Sequence, residues 1–293
     1  MIMGGLNVDT TVLVRDLPAK GETIFASGMT TDIGGKGLNQ ALALHRAGAD
    51  VRLVGTIGHD AAGAAIIDFM TEQGLVADHI SRSDGAATGQ AFIAVDQQGD
   101  NTIVVVPGAN TQTGPEDIDA LQDTLPQAAA IVANCEAPLD AVAHLFAAAR
   151  DAGVQTVLNP SPVPNDHEQL LALTDMLVVN EEEAQALSQA TDGASQADVL
   201  GRLHALGSGR IVLTLGSEGC LYSDGKGALA VPAERVDAVD TTAAGDTFLG
   251  YFVASLVQGQ SPGEACARAT KAAALCVQVP GASAAIPHRS DLV

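Results

Sequence analysis

From residue 129 onward the chain alternates between short apolar runs and helical stretches, and that alternation leaves few folds open. The runs 130–133, 156–158, 176–179 and 211–215 have strand length, not helix length. Residues 139–152, 181–189 and 196–206 lie between them and read as helices. Buried strands separated by helices imply a mainly parallel sheet covered on both faces. In such a sheet, ligands bind beyond the carboxyl ends of the strands.

The first half reads differently. Residues 1–6 form a short apolar strand ending at Asn7-Val8-Asp9, and residues 10–33 look extended and irregular. A helix over 38–47 places Leu38, Ala41, Leu42 and His45 on one face, with Gly48 as its stop, and 51–57 follows as a strand. Residues 88–95 and 101–106 predict a hairpin joined by a longer loop. No repeat, low-complexity tract or linker divides the chain, so residues 1–293 read as one α/β domain with a small β excursion.

Composition narrows the functional classes. Apolar residues make up 47% and charged residues 17%, the balance of a globular chain. With no Trp and few other aromatics, Ala, Val, Leu and Ile must fill the core. A formal net charge of −21 repels a phosphate backbone and argues against nucleic acid as a partner. The four cysteines show no C-x-x-C spacing and read as reduced core residues. No basic leader opens the chain and no apolar run is long enough for a membrane helix, so the expected location is the cytoplasm, away from membranes.

Four segments carry candidate chemistry. In Asp240-Thr241-Thr242-Ala243-Ala244-Gly245-Asp246-Thr247-Phe248, small residues precede a helix whose apolar residues Phe248, Leu249, Phe252, Val253 and Leu256 fall at helical spacing. The amides of Ala243, Ala244 and Gly245 at a helix N-terminus can hold a transferring phosphoryl group, with Asp246 facing an attacking hydroxyl. A plain N-cap is the competing reading of Asp246. Gly34-Gly35-Lys36-Gly37-Leu38-Asn39-Gln40 departs from both the P-loop and the G-x-G-x-x-G patterns. It is a glycine-rich turn whose backbone can approach a polyhydroxy ligand, and Asn39 can both donate to and accept from hydroxyls. Asn180-Glu181-Glu182-Glu183 could hold Mg²⁺ partly through water, or could simply be an acidic first turn. Thr214-Leu215-Gly216-Ser217-Glu218-Gly219 is a turn able to cradle phosphates.

Together with Glu136, Asn159-Pro160 and Gly281, these segments in this order resemble the PfkB or ribokinase family of carbohydrate kinases over nearly the whole chain. The resemblance implies a three-layer sandwich with a mainly parallel central sheet and a β lid from about 10–33 and 88–106. It implies transfer of the γ-phosphoryl of ATP to a sugar hydroxyl, with ribose the expected sugar. Asn7, Asp9, Gly35, Lys36, Gly37, Asn39 and Glu136 would contact the sugar, and Asp246 would take its proton. Asn180, Thr214, Gly216, Ser217, Gly219 and Gly245 would contact ATP, with Thr270 near the adenine. Glu183 would organise Mg²⁺ through water. Asp240, Thr242, Cys276, Val279 and Gly281 would surround an activating K⁺, although Ala285 stands where relatives can offer a Ser ligand. Paired lids would make a homodimer. Another sugar or a nucleoside as substrate, with Phe25 and Phe92 as stacking candidates, stays open, as does a catalytically silent sugar-binding regulator.

Overall fold

The computed structural model describes residues 1–191 and 193–292. Its strands are β1 (Ile2–Met3), β2 (Asn7–Leu13), β3 (Gly28–Gly34), β4 (Leu53–Gly58), β5 (Ile80–Ser83), β6 (Gly89–Val95), β7 (Asn101–Val106), β8 (Ala130–Asn134), β9 (Gln155–Asn159), β10 (Met176–Asn180), β11 (Arg210–Thr214), β12 (Cys220–Ser223) and β13 (Ala228–Val231). The helices are α1 (Lys36–Arg46), α2 (Ala61–Glu72), α3 (Pro115–Asp119), α4 (Leu139–Asp151), α5 (Glu168–Ala172), α6 (Glu181–Ser188), α7 (Gln196–Ala205), α8 (Ala244–Val257) and α9 (Pro262–Cys276).

Nine strands form one sheet in the order β13-β12-β11-β10-β9-β8-β1-β4-β5. All neighbours run parallel except at β11-β12 and β12-β13, which are antiparallel. Successive strand residues point to opposite faces, so an apolar strand feeds two cores at once. Ile2, Leu53, Val132 and Met176 enter one core with residues of α1, α2, α8 and α9. Met3, Val54, Ile131 and Leu177 enter the other with residues of α3, α4, α5, α6 and α7. These are the three layers expected for a fold of this class.

The antiparallel edge, β12 and β13, falls outside the alternation that predicted the parallel strands. It closes the sheet after a tight turn at Gly219, whose φ is +101°. The region expected to be irregular over 10–33 contains β2 and β3 paired in antiparallel register from Asn7↔Gly34 to Leu13↔Gly28. Together with β6 and β7 they make a second sheet in the order β3-β2-β6-β7.

Two features position the site. From β1 the chain goes to β4 and β5 on one side, then returns to β8 and continues β9, β10, β11 on the other. The order reverses at β1 and β8, and the crevice at such a reversal is where α/β sheets bind ligands. In addition β1 leads through Gly4, Gly5 and Leu6 straight into β2, so the large and the small sheet share one continuous segment.

Candidate functional site

The site starts with a backbone crossing. Gly35 has φ +91°, and a Cβ there would lie 2.6 Å from the Gly5 carbonyl and 2.8 Å from the Asn7 nitrogen. A Cβ on Gly37 would lie 2.7 Å from the Gly4 Cα. Only glycine fits both positions, and the result is that α1 begins directly on the link between the two sheets. The Leu38 amide donates to the Gly5 carbonyl at 3.2 Å. This is the reason for the glycine-rich turn, and it carries Lys36, Asn39 and Gln40 to the sheet's reversal point.

Asp246 reaches the same place from the first turn of α8 and is 7% exposed. Its Oδ2 accepts from Asn39 Nδ2 at 3.3 Å and its Oδ1 from Gln40 Nε2 at 2.9 Å. Glu136 Oε2 accepts from the Lys36 amide at 2.8 Å. Asn7 Oδ1 accepts from Asn110 Nδ2 at 2.8 Å, and Asn110 also holds the Leu6 amide and carbonyl. Thus α1, α8, the end of β8 and the start of β2 each bring a polar side chain to one crevice.

The electrostatics are those of crowded acids leaving water. Burial pushes the Glu136 carboxyl up to about 7; the Lys36 charge and its amide hydrogen bond oppose this, while Asp246 and Asp9 add to it. Burial, then the charges of Asp32 and Asp246, push Asp9 up to about 6. For the Lys36 ammonium, burial is opposed and outweighed by Asp246, Glu136 and Glu183, so its pKa is raised. Asp9 Oδ1 and Asn39 Oδ1 are buried and have no hydrogen-bond partner. Buried acceptors normally have donors, so two orphans in one crevice mark a place for a ligand bearing hydroxyl groups.

The residues expected to meet the nucleotide lie at neighbouring strand ends. Asn180 and Thr214 are paired across β10 and β11. Asn180 caps α6: its Oδ1 accepts from the Glu183 amide at 2.8 Å, and Glu183 Oε2 accepts from the Asn180 amide at 3.1 Å. The capping reading of this acidic segment therefore holds for Glu183, whose charge is still felt at Lys36. Gly216 has φ +54°, Ser217 follows in the same tight turn, and Leu215 donates to the Gly219 carbonyl at 2.8 Å. Thr270 is buried in α9, 3.8 Å from Cys220 Sγ.

Ahead of α8, Asp240 gathers the loop. Its Oδ1 accepts from the Thr242 amide at 2.9 Å and hydroxyl at 2.7 Å, and its Oδ2 from the Gly281 amide at 2.9 Å. Burial would raise this carboxyl's pKa, but those hydrogen bonds outweigh it and lower it. Cys276 Sγ donates to the Thr242 carbonyl at 3.7 Å, and the Val279 amide donates to the Cys276 carbonyl at 3.1 Å. Ala285 is buried nearby in sequence, on a turn whose Ser283 and Ile286 carbonyls accept from Arg46. Ala243 itself is left-handed, φ 59°, a conformation that costs a non-glycine residue roughly 1–3 kcal/mol and collects at functional sites. The Ala244 amide donates to the Thr241 carbonyl at 3.2 Å, and α8 begins there, with Gly245 and Asp246 in its first turn.

The structure therefore brings Asn7, Asp9, Lys36, Asn39, Glu136 and Asp246 together, and it sets the Asp240 loop directly before α8. Sequence reasoning passed over Gln40, Asn110 and Asn134, all buried. One signal was available for Asn134: β8, β9 and β10 each end in Asn.

The pattern of the pfkB family carbohydrate kinases matches residues 1–289 of this sequence. The chain belongs to that family. Among curated relatives of this pfkB chain, the ribokinase of Staphylococcus aureus is 37% identical over 291 residues, 98% of this chain and 96% of that protein. The ribokinase of Haemophilus influenzae is 33% identical over 292 residues, 99% and 95% of the two chains. Among solved structures, a ribokinase from Thermotoga maritima aligns with a TM-score of 0.91 at 31% identity, over 99% of this chain and 96% of that one. The Arabidopsis thaliana ribokinase complexed with ribose and ATP aligns with a TM-score of 0.90 at 29% identity, with the same coverage. Among the described residues, no helix is long and apolar enough to cross a membrane.

Proposed function

We propose that this pfkB kinase transfers the γ-phosphoryl of ATP to the 5-hydroxyl of D-ribose. The observation that carries the reading is the pair of orphaned acceptors, Asp9 Oδ1 and Asn39 Oδ1, in the crevice that also holds Glu136 and Asp246. A sugar supplies hydroxyl donors to such atoms, and the ribose and ATP of the plant relative name the substrates. Phe25 is 94% exposed and Phe92 45%, which lends no support to a buried stacking platform for a nucleobase.

In this reading Asn7, Asp9, Gly35, Lys36, Gly37, Asn39 and Glu136 bind the sugar and fix its orientation. Asp246 takes the proton from the attacking hydroxyl as general base. The amides at the start of α8, Ala243 to Gly245, face the charge that develops on the phosphoryl group. Asn180, Thr214, Gly216, Ser217, Gly219 and Gly245 bind the nucleotide, with Thr270 near its base. Among the described residues no group of three or more His, Cys, Asp or Glu side chains could hold a metal ion. A nucleotide-borne Mg²⁺ needs no such cage, since it keeps several waters and takes one or two carboxylates besides the phosphates. Glu183 fits that role through water, and the ion when bound neutralises charge on the phosphates. The Asp240 carboxylate and the main-chain carbonyls of Thr242, Cys276, Val279 and Gly281 form an oxygen-donor set suited to K⁺, which would add positive charge beside the loop. The lid built from about 10–33 and 88–106 covers the sugar and pairs with a second copy, and the cytoplasm is the compartment.

A panel of ribose, 2-deoxyribose, fructose and nucleosides tests the substrate. Ribose is expected to give the highest kcat/KM, and 2-deoxyribose to lose at least about tenfold, because a hydroxyl partner left unpaired in the pocket costs on the order of 1–3 kcal/mol. A nucleoside or fructose that outruns ribose overturns the assignment.

A further inference from the structure

Gln40 is fully buried and touches Asp246, yet the functional reading gives it no role. Its Oε1 accepts from Asn134 Nδ2 at 3.2 Å, which fixes the orientation of the amide. Its Nε2 is thereby turned toward two acceptors, Asp246 Oδ1 at 2.9 Å and Asn159 Oδ1 at 3.1 Å. The neighbours are held in turn. Asn134 Oδ1 accepts from the Glu136 amide at 3.1 Å, and Asn159 Nδ2 donates to the Val178 carbonyl at 3.1 Å. The amides thus form a chain of single polarity, from the main chain at Glu136 to the carboxylate of Asp246.

We infer that Gln40 is the positioning residue for Asp246: it occupies Oδ1 and leaves Oδ2 as the oxygen that receives the sugar's proton. The inference rests on the reading of Asp246 as general base. Among the described residues the one donor at Oδ2 is Asn39 Nδ2, at 3.3 Å, longer than the contact at Oδ1. An incoming hydroxyl therefore competes with the weaker of the two contacts. The chemistry of the donor matters as much as its place. A cation at the position of Gln40 would hold the carboxylate equally well but would favour its ionised form and so weaken it as a proton acceptor. A neutral amide fixes the carboxylate without placing a charge beside it. Because the chain starts at the Glu136 backbone, the segment that binds the sugar and the group that removes its proton are set by one series of contacts.

The test compares Gln40→Met, Gln40→Glu and Asp246→Asn in the full chain, by single-turnover phosphoryl transfer across pH, calorimetric ribose binding and thermal unfolding. Gln40→Met is expected to lower the transfer rate about 10- to 100-fold, the worth of a hydrogen bond to a charged group. Its ribose affinity should persist and its acidic limb should move to higher pH. Gln40→Glu is close to isosteric and decides the matter if the Met variant does not fold. Its carboxyl can donate to Asp246 while protonated and repels it when ionised, so its rate should fall with rising pH where wild type does not. A merely structural role would move the unfolding temperature but neither pH profile. Wild-type rates and profiles in both Gln40 variants, beside an inactive Asp246→Asn, overturn this inference alone. An active Asp246→Asn overturns the base assignment beneath it.

Discussion

The central strands of the large sheet and the outer strand of the small sheet are both rich in apolar residues, and their fates differ completely. Every residue of β4 and β8 is buried, whereas all six residues of β7 are exposed. In β7, Ile103, Val104, Val105 and Val106 are 53%, 58%, 50% and 48% exposed. The large sheet has a helical layer on each face; β7 is the edge of a four-stranded sheet, and among the described residues nothing buries either of its faces. An apolar run therefore does not by itself say that a strand will be covered by its own chain. The body completes its own core, and the lid leaves an apolar edge of the kind that marks an association surface. That difference supports the proposed dimer and separates what each region should do when altered.

The sharpest cut acts on the body alone. Asp246→Asn should lower kcat by on the order of 10²–10⁴, while nucleotide binding and assembly persist; steady-state kinetics with light scattering checks it, and near wild-type turnover refutes the assignment. The second cut acts on the lid alone. Ile103→Lys with Val105→Lys places charges on a surface proposed to be buried between copies, which should convert dimer to monomer and raise KM for ribose. The large sheet should stay folded, as circular dichroism would report. An unchanged dimer would mean that β7 is not the interface.

A third prediction joins the regions, because one raised carboxyl comes from each. Asp9 and Glu136 titrate near 6 and 7 in the folded chain, above the ordinary carboxylate range. Between that range and pH 7 the folded state holds protons the unfolded chain has lost, so their contribution to stability is full at low pH and disappears as pH rises through 6 to 7. For Glu136, a rise from 4.5 to about 7 is worth on the order of 3 kcal/mol. The ligand-free protein should lose unfolding temperature between pH 5 and pH 8, and Glu136→Gln should flatten the loss. A curve equally steep in the variant would remove Glu136 as its cause.

The smallest effect belongs to the loop before α8. Titrating K⁺ at constant ionic strength should raise kcat or lower KM, and Ala285→Ser should move half-saturation to lower K⁺. Activity that stays flat in both proteins would dismiss the cation.

The sequence was most legible where local pattern and final environment agree. The run 176–179 became β10, and Asn180 with Glu183 three residues on is the capping box that opens α6. The glycines at 35 and 37 announced a close approach, but only the fold showed that the approaching partner is the protein's own backbone at Gly4 and Gly5. Gln40, Asn110 and Asn134 were opaque for a related reason. Gln40 and Asn134 are 94 residues apart, and Asn110 and Leu6 are 104 apart. An amide's role is set by which distant groups it meets, and no local periodicity encodes that.

The passage from β1 through Gly4, Gly5 and Leu6 into β2 has a consequence for timing. Asn7 and Asp9 lie on β2 of the small sheet, whereas Glu136 follows β8 of the large sheet and Asp246 lies in the first turn of α8. A rotation of the lid about that passage would carry the first pair away from the second. Two half-sites would then face an arriving sugar, and neither alone offers its full complement of partners. In the proposed closure the last contacts to form would be those that bring the halves into register, so recognition and closure would become a single event, and a molecule that satisfied only one half would leave before the other arrived.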